Sequence, residues 1–205
     1  MRLSHFSRFL LFAFVGWLLF LLGCATTSKQ ARFYKLSSVG TQEAPSQTQA
    51  TGQGLGIGIG PIKFPDHLDR PQIVTRTSAN AMQLSEFDLW AGSLREDFSR
   101  VLAENLSILL STDYIFIYPF TKSTPIDYKV AVEVVRFDGE LGKSAALTAR
   151  WTVMEGDRKA LKFVRRSKIT GAVDDSNYEA MVAALSRTVE SLSREIAESI
   201  RSLSR

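Results

Sequence analysis

The chain is 205 residues long, carries 25 basic and 21 acidic side chains, and contains a single cysteine. One cysteine excludes a framework of internal disulfides. A formal net charge of +4 is small for a nucleic-acid-binding protein, which normally presents a basic face or stripe. The length is ample for one hydrophobic core, so we expect a single folded domain.

Residues 1–23 have the three parts of a secretory signal peptide. Arg2 and Arg8 form a short basic stretch, an apolar run covers 9–22, and the small residue Gly23 comes last. The run of about fourteen residues is shorter than the roughly twenty that a helix needs to cross a bilayer. The pattern favours a cleaved signal peptide over the alternative, a signal-anchor with an incidental cysteine. Without this segment, 23 basic and 21 acidic residues remain.

The four residues Leu21-Leu22-Gly23-Cys24 resemble the lipobox of bacterial lipoproteins, although Leu22 is bulkier than usual at its position. The resemblance implies that Cys24 becomes the first residue and carries diacylglycerol and an N-acyl chain such as palmitate. Several buried acyl chains are sufficient for stable membrane attachment. Ala25, in the position that influences sorting, favours the outer membrane, with the protein facing the periplasm.

A tether and a short strand are predicted next. Residues 24–31 form the lipidated tether, and the apolar island Arg32–Leu36 predicts an edge strand at the start of a domain covering 32–205. Residues 37–53 are mostly small and polar, and they cannot bury enough apolar surface to offset their ordering entropy. We expect a flexible loop there.

Glycines alternate with aliphatic residues from Gly54 to Gly60. The third glycine of a G-x-G-x-x-G fingerprint, counted from Gly54, falls on Ile59, so the dinucleotide-binding pattern fails. Period-two alternation predicts instead a strand with one apolar face and one face of bare glycines. Such a face lets another segment approach closely. Core packing is the favoured interpretation, and a lipid or a partner segment on that face is the alternative.

Two strands and a turn follow the proline-bounded loop 61–71. Ile73–Thr77 is predicted to pair with Met82–Phe87 across the turn Ser78–Asn80. Ser93, with Glu96 three residues later, then forms a capping-box pattern, and apolar residues at helical spacing up to Leu109 predict a helix with one buried face.

The second half of the chain predicts strands followed by a long helix. Tyr114–Tyr118 is a short strand, and the runs 126–134, 147–153 and 160–169 form an antiparallel meander, with a bulge or strand exit at Val135 and a turn containing Gly139 and Gly142. The apolar stripe from Tyr178 to Leu203, capped by Asp175 or Ser176, predicts a helix. Packing of this helix on the sheet is favoured over a coiled-coil dimer, because the meander otherwise has an uncovered face. The predicted fold class is α+β, a single domain with a mixed, mostly antiparallel sheet and two main helices on one face.

The order of several residues and motifs along the chain resembles that of a known family. Gly60-Pro61, the run Leu-Asp-Arg-Pro-Gln-Ile-Val at 68–74, Asn80, Phe87 and Trp90 occur in the order found in the auxiliary lipoproteins of ABC-type transport systems. The resemblance implies a non-catalytic accessory of an MCE-type intermembrane lipid transport system. It also implies an MCE-domain bridging protein and inner-membrane transport components as partners, with self-association into a homo-oligomer as a further expectation. A structural or regulatory lipoprotein that assists another envelope assembly is the alternative.

The residues give no positive support for catalysis, for a bound metal or for any cofactor besides the lipid. His67 is the only histidine after residue 23, whereas a zinc site needs several ligands at workable spacing. Ser-His-Asp catalysis is compositionally open, but no G-x-S-x-G motif occurs, and we interpret His67 as a surface residue. We also interpret the basic cluster Arg165, Arg166 and Lys168, beside Lys159 and Lys162, as a solvated strand and turn.

Four residues are the candidates for partner contact: Asp69, Arg70, Gln72 and Trp90. Two structural roles compete with this interpretation. Asp69 and Arg70 could simply pin the loop before Pro71, and Trp90 could pack as a hydrophobic staple of the following helix.

Overall fold

The computed structural model describes residues 29–39, 54–156 and 160–204. Within them, eight strands form one sheet, and two long helices pack on it. The elements are β1 Arg32–Tyr34, β2 Ile57–Lys63, β3 Gln72–Arg76, β4 Met82–Trp90, α1 Leu94–Leu110, β5 Ile115–Ile117, β6 Tyr128–Glu140, β7 Ser144–Glu155, β8 Leu161–Ala172 and α2 Tyr178–Leu203, with a 3-10 turn at Asp66–Leu68. The α+β fold class is confirmed. The predicted signal peptide, Cys24 and most of the predicted loop 37–53 lie outside the described residues.

Strand β6 is the central strand of the sheet. On one side it pairs antiparallel with β7, which pairs antiparallel with β8, so the predicted meander is confirmed. On the other side its first half pairs parallel with β2, and Gly139 near its end pairs parallel with Thr75 of β3. The predicted hairpin is β3–β4, and β1 adds parallel to β4. The ladder shifts register between Val134 and Arg136, which confirms the bulge at Val135.

The two helices begin at side-chain caps. The Ser93 hydroxyl accepts from the Glu96 amide, as the capping-box pattern predicts. At the start of α2 the cap is Asn177, whose Oδ1 accepts from the Ala180 amide at 2.8 Å. The prediction of Asp175 or Ser176 was wrong because Asp175 bonds its neighbours outside the helix, namely the Ser176 amide and the Asn177 side chain.

The hydrophobic core lies between the helices and one face of the sheet. Phe98 of α1 stacks edge-on against Phe64 and Phe137, with ring centroids 5.2 and 5.6 Å apart. The apolar stripe of α2 is buried in the same core: Met181, Val182, Leu185, Val189, Leu192, Ile196 and Ile200. Packing of α2 on the sheet is therefore confirmed, and this burial occupies the stripe that a coiled coil would need.

The structure differs from the prediction in the loop expected to begin at Pro61 and in the turn expected at Gly139. Strand β2 runs through Pro61 to Lys63, because the ladder shifts register between Ile59 and Ile62 and so a proline without an N–H group is tolerated there. Gly139 lies inside β6 rather than in a turn, and a Cβ at this position would come within 2.8 Å of Met181 Cγ. Its lack of a side chain therefore lets α2 approach the sheet.

The bare glycine face of β2 is covered by the segment Tyr118–Asp127 of the same chain. A Cβ at Gly56 would lie 2.2 Å from the Pro125 carbonyl oxygen, and one at Gly58 would lie 2.9 Å from Ile126 Cδ1. The Gly56 amide also donates to Asp127 Oδ2 at 2.7 Å. Within the described residues, the close approach predicted from the glycines is made by this intramolecular segment.

Candidate functional site

Three of the four candidate contact residues meet where β4 turns into α1, at Trp90–Leu94, which we call the β4–α1 corner. Trp90 and Leu94 are buried at its two ends, whereas the three residues between them are exposed. The Trp90 amide donates to the Pro71 carbonyl at 2.7 Å, and the Ala91 amide donates to the Tyr34 carbonyl at 2.9 Å. The corner is therefore an exposed segment held between two buried anchors.

One side of the corner is a cavity of about 320 Å³ that Asp69, Arg70 and Pro71 line together with the corner residues. Asp69 forms an ion pair with Arg95 of α1, so this carboxylate fixes the loop to the helix. Arg70 Nε is buried and has no acceptor among the described residues. A buried donor without a partner costs on the order of 1–3 kcal/mol. Arg70 is therefore a half-buried cation in the cavity wall without a described ion pair.

The other two candidates are less accessible. Gln72 begins β3, pairs with Leu89 in the ladder and is half-buried, and it lines neither of the two cavities beside the corner. Trp90 is 6% exposed and belongs to the core cluster, a position that fits the staple role. The part of Trp90 that reaches the surface lines the cavities on both sides.

The second cavity, of about 310 Å³, lies on the opposite side of the corner. It is lined by Tyr34 at the end of β1, by the following residue Lys35, and by the first turns of α1, including Glu96, Asp97 and Arg100. None of these residues was predicted as part of a site. The parallel pairing of β1 with β4 brings together residues more than fifty positions apart, and no local sequence pattern signals that pairing.

A buried carboxylate joins β1 to β4 beside this cavity. Asp88 accepts hydrogen bonds from the Tyr34 hydroxyl and the Ser85 hydroxyl, both at 2.9 Å, and pairs with Arg32 at 2.8 Å. Burial raises the pKa of the Asp88 carboxyl, but the bonds from Arg32, Tyr34 and Ser85 outweigh it and lower that pKa. Burial and the neighbouring carboxylate raise the pKa of Tyr34. These groups fix the edge strand in place.

Both helices hold the chain that follows β1. The Leu36 amide donates to Asp97 Oδ2 at 2.6 Å, and Arg100 donates to the Leu36 carbonyl at 2.9 Å. The Ser37 amide donates to the Ser186 hydroxyl of α2 at 3.1 Å. Residues 32–37 are therefore fixed beside the corner.

Two other predictions from the sequence concern surface residues. His67 is exposed in the 3-10 turn Asp66–Leu68. The basic residues Arg165, Arg166 and Lys168 are exposed on β8, as predicted for a solvated strand. No helix in the described part of the chain combines the length and the hydropathy that crossing a bilayer requires. Cys24, the predicted lipidation site, lies outside the described residues and stays a prediction.

Solved structures with low sequence identity share this fold. An uncharacterized protein matches with a TM-score of 0.68 and 19% identity, covering 84% of this chain and 99% of the other. A protein from Xanthomonas campestris matches with a TM-score of 0.65 and 13% identity, with the same two coverages. A PelC dodecamer from Paraburkholderia phytofirmans matches with a TM-score of only 0.41 and 14% identity, covering 73% and 93%.

Sequence comparison identifies the family. No curated protein matches the chain. The family model described as "ABC-type transport auxiliary lipoprotein component" matches residues 34–197, from the end of β1 to the last turns of α2, and so covers almost the whole described domain. The match includes all four candidate contact residues and both cavities beside the corner. The chain therefore belongs to the family of ABC-type transport auxiliary lipoprotein components.

Proposed function

We propose that this protein is a non-catalytic accessory of an MCE-type intermembrane lipid transport system, anchored in the outer membrane and facing the periplasm. Family membership over residues 34–197 supports the role in transport. Acyl chains on Cys24 supply the anchor, and the domain docks an MCE-domain bridging protein that connects to inner-membrane components. The lipid is the only prosthetic group in this proposal.

The observation that carries the docking role is the state of Arg70 at the β4–α1 corner. Its neighbour Asp69 is engaged by Arg95, and Arg70 itself has no carboxylate partner among the described residues. A half-buried guanidinium beside an open cavity is suited to bind a carboxylate or carbonyl group of a partner, because its N–H donors have a fixed fork geometry. Asp69 then serves as the pin of the loop and Arg70 as the contact.

The position of β1 fits this arrangement. Asp88 and both helices hold Arg32 and the residues that follow it beside the corner. Cys24 precedes Arg32 by eight positions, a stretch that spans at most about 28 Å when fully extended. A lipidated Cys24 would thus keep the docking surface close to the membrane.

A pull-down from membrane extracts tests the docking surface. Full-length protein with Arg70→Ala is expected to recover at least fivefold less MCE-domain protein than the unchanged chain. The matched control is Arg194→Ala, which removes an exposed arginine that pairs only with Glu190 on the same helix. Circular dichroism on both variants checks that they are folded. Equal recovery by a folded Arg70→Ala variant would exclude the corner as the contact surface.

The anchor is tested separately. Cells labelled with a fatty-acid analogue should show acylated protein. Cys24→Ser should abolish the label, whereas globomycin, which blocks cleavage after the diacylglycerol has been attached, should leave a labelled precursor. A mature form of normal size without label would refute lipidation at Cys24.

The pull-down also tests the alternative role. Recovery of a cell-wall synthase in place of transport components would favour a structural or regulatory lipoprotein.

A further inference from the structure

The outer face of β6–β8, opposite the helices, carries cations in two neighbouring rows. In one row Arg136 lies opposite Thr148, which lies opposite Lys168. In the next row Glu133 lies opposite Arg150, which lies opposite Arg166. Directly opposed residues on one face have Cβ atoms about 4.5–5.5 Å apart, and like charges in this position are destabilising. The Arg150–Arg166 pair is therefore an unfavourable arrangement within the isolated domain.

The carboxylates near these rows do not neutralise the cations on β8. Glu133 reaches only Arg150, at 3.6 Å, and the buried Asp138 is fully engaged by Arg76 and Arg136. Within 29–39, 54–156 and 160–204, no carboxylate pairs with Arg166 or Lys168. The β8 side of the outer face thus keeps a net positive charge.

Strand β8 is also an edge strand. Among the described strands it pairs only with β7, so one side of its backbone has hydrogen-bonding groups that no described strand uses. It has twelve residues, which corresponds to about 40 Å of extended chain, and its sequence contains no proline. Val164 and Leu161 on this strand are 64% and 59% exposed. A long and partly apolar edge can accept another strand.

We propose that β8 binds an extended acidic segment of a partner protein by strand addition. The backbone of the segment pairs with the free edge, and carboxylates two positions apart in the segment face Arg166 and Lys168, which have the same two-residue spacing. Side chains on one face of a strand repeat every two residues, about 6.8 Å, so an extended peptide matches this charge pattern. Its carboxylates would also relieve the repulsion between Arg150 and Arg166.

Two competing roles for the basic residues of β8 lead to different expectations. Basic residues on an edge strand can serve only to prevent unwanted pairing, and a basic face can lie on an anionic bilayer without using the strand edge. Neither role requires backbone hydrogen bonds to the free side of β8. The proposal is independent of the corner at Trp90–Leu94 and of the transport role, since it rests on the β6–β8 face alone.

Fluorescence anisotropy with synthetic peptides tests the proposal. The full chain in a neutral detergent is titrated with a labelled ten-residue peptide in which Glu alternates with Thr and Val. Arg166→Gln/Lys168→Gln should weaken binding at least tenfold. Lys122→Gln/Lys143→Gln, which removes two exposed lysines outside β7 and β8, should change it less than twofold. A peptide with Lys in place of Glu should not bind.

Backbone pairing is tested with N-methylated peptides. Methylation of alternate amides removes the donors on one edge of the peptide, so one alternate set should abolish binding and the other should have little effect. Hydrogen exchange should show new protection of amides within 161–172 when the acidic peptide is present. Strand pairing produces this protection at the amides that face the free edge, whereas charge attraction between the peptide and the side chains of β8 does not.

Four results would overturn the proposal. They are no binding of the acidic peptide, equal weakening by both double variants, equal binding of both N-methylated peptides, and protection of β8 by anionic lipid in nanodiscs but not by the peptide. The last result would assign the surface to the membrane. A failed pull-down with Arg70→Ala would leave this proposal standing, because the two experiments concern different surfaces.

Discussion

Substitution of Gly56 by alanine tests whether the segment Tyr118–Asp127 is seated on β2 as described. The new Cβ would lie 2.2 Å from the Pro125 carbonyl oxygen and 3.2 Å from its carbon. The obstacle is backbone, so the segment must move to make room. Gly56 also donates to Asp127 Oδ2 and accepts from the Asp127 and Tyr128 amides at 2.8 and 3.1 Å. The displacement therefore strains or breaks three hydrogen bonds.

The expected loss of stability follows from these contacts. Each hydrogen bond contributes about 1 kcal/mol net, and overpacking in a closed site costs about 1–3 kcal/mol. Partial relaxation of the segment leaves an expected total of about 2–4 kcal/mol. For a chain of this size, 1 kcal/mol shifts Tm by about 2–4 °C. We expect Gly56→Ala to lower Tm by roughly 4–16 °C.

Urea denaturation followed by circular dichroism gives the change in the free energy of unfolding. Gly92→Ala is the matched control, because a Cβ at Gly92 meets nothing within 4 Å, and an exposed substitution of this kind changes stability by about 0.5 kcal/mol or less. If Gly56→Ala is as stable as Gly92→Ala, the bare glycines of β2 are not covered by this segment and the packing argument is wrong.

Two further predictions concern a buried carboxylate and a helix cap. Asp138→Asn should destabilise the domain by roughly 1–3 kcal/mol, because Arg76 and Arg136 lose a charged partner but remain partly hydrated. The arginines outweigh burial and lower the pKa of Asp138 in the folded state, so its contribution is present above the unfolded pKa, near 4, and is lost as pH falls further. Urea midpoints measured across pH 2–7 should therefore decline less steeply for the variant below about pH 4, and parallel curves would contradict this role. Asn177→Ala should lower the free energy of unfolding by about 1 kcal/mol, because the helix cap is lost, and Ser176→Ala should lower it much less in the same assay. A larger loss for Ser176→Ala than for Asn177→Ala would show that Ser176 is the cap.

Local patterns predicted those parts of the fold that neighbouring residues determine. The cap at Ser93 follows from a hydroxyl and a carboxylate three positions apart, and the hairpin follows from period-two alternation on either side of a short polar turn. The bulge at Val135 shows as a break in that alternation. In each case the energy that selects the structure comes from residues adjacent in sequence.

Features set by distant residues were missed. Tyr34, Asp97 and Arg100 line a cavity only because β1 pairs parallel with β4 and lies beside α1, and parallel pairing leaves no local turn signal. Local rules predict a turn at Gly139 because a glycine within a strand is normally unfavourable. Its position inside β6 is due to Met181, forty-two positions later in the chain. The engagement of Asp69 by Arg95 likewise depends on tertiary structure.

The attachment of β1 has a mechanical consequence. A force applied to Arg32 along the axis of β1, which lies parallel to β4, would load the ladder bonds and the Arg32–Asp88 ion pair together in shear rather than open them one at a time. Beyond the strand, the Leu36 and Ser37 amides are bonded to side chains of α1 and α2, which distributes the load over both helices. A domain held to a membrane through this edge would resist detachment while the surfaces that contact partners keep their shape.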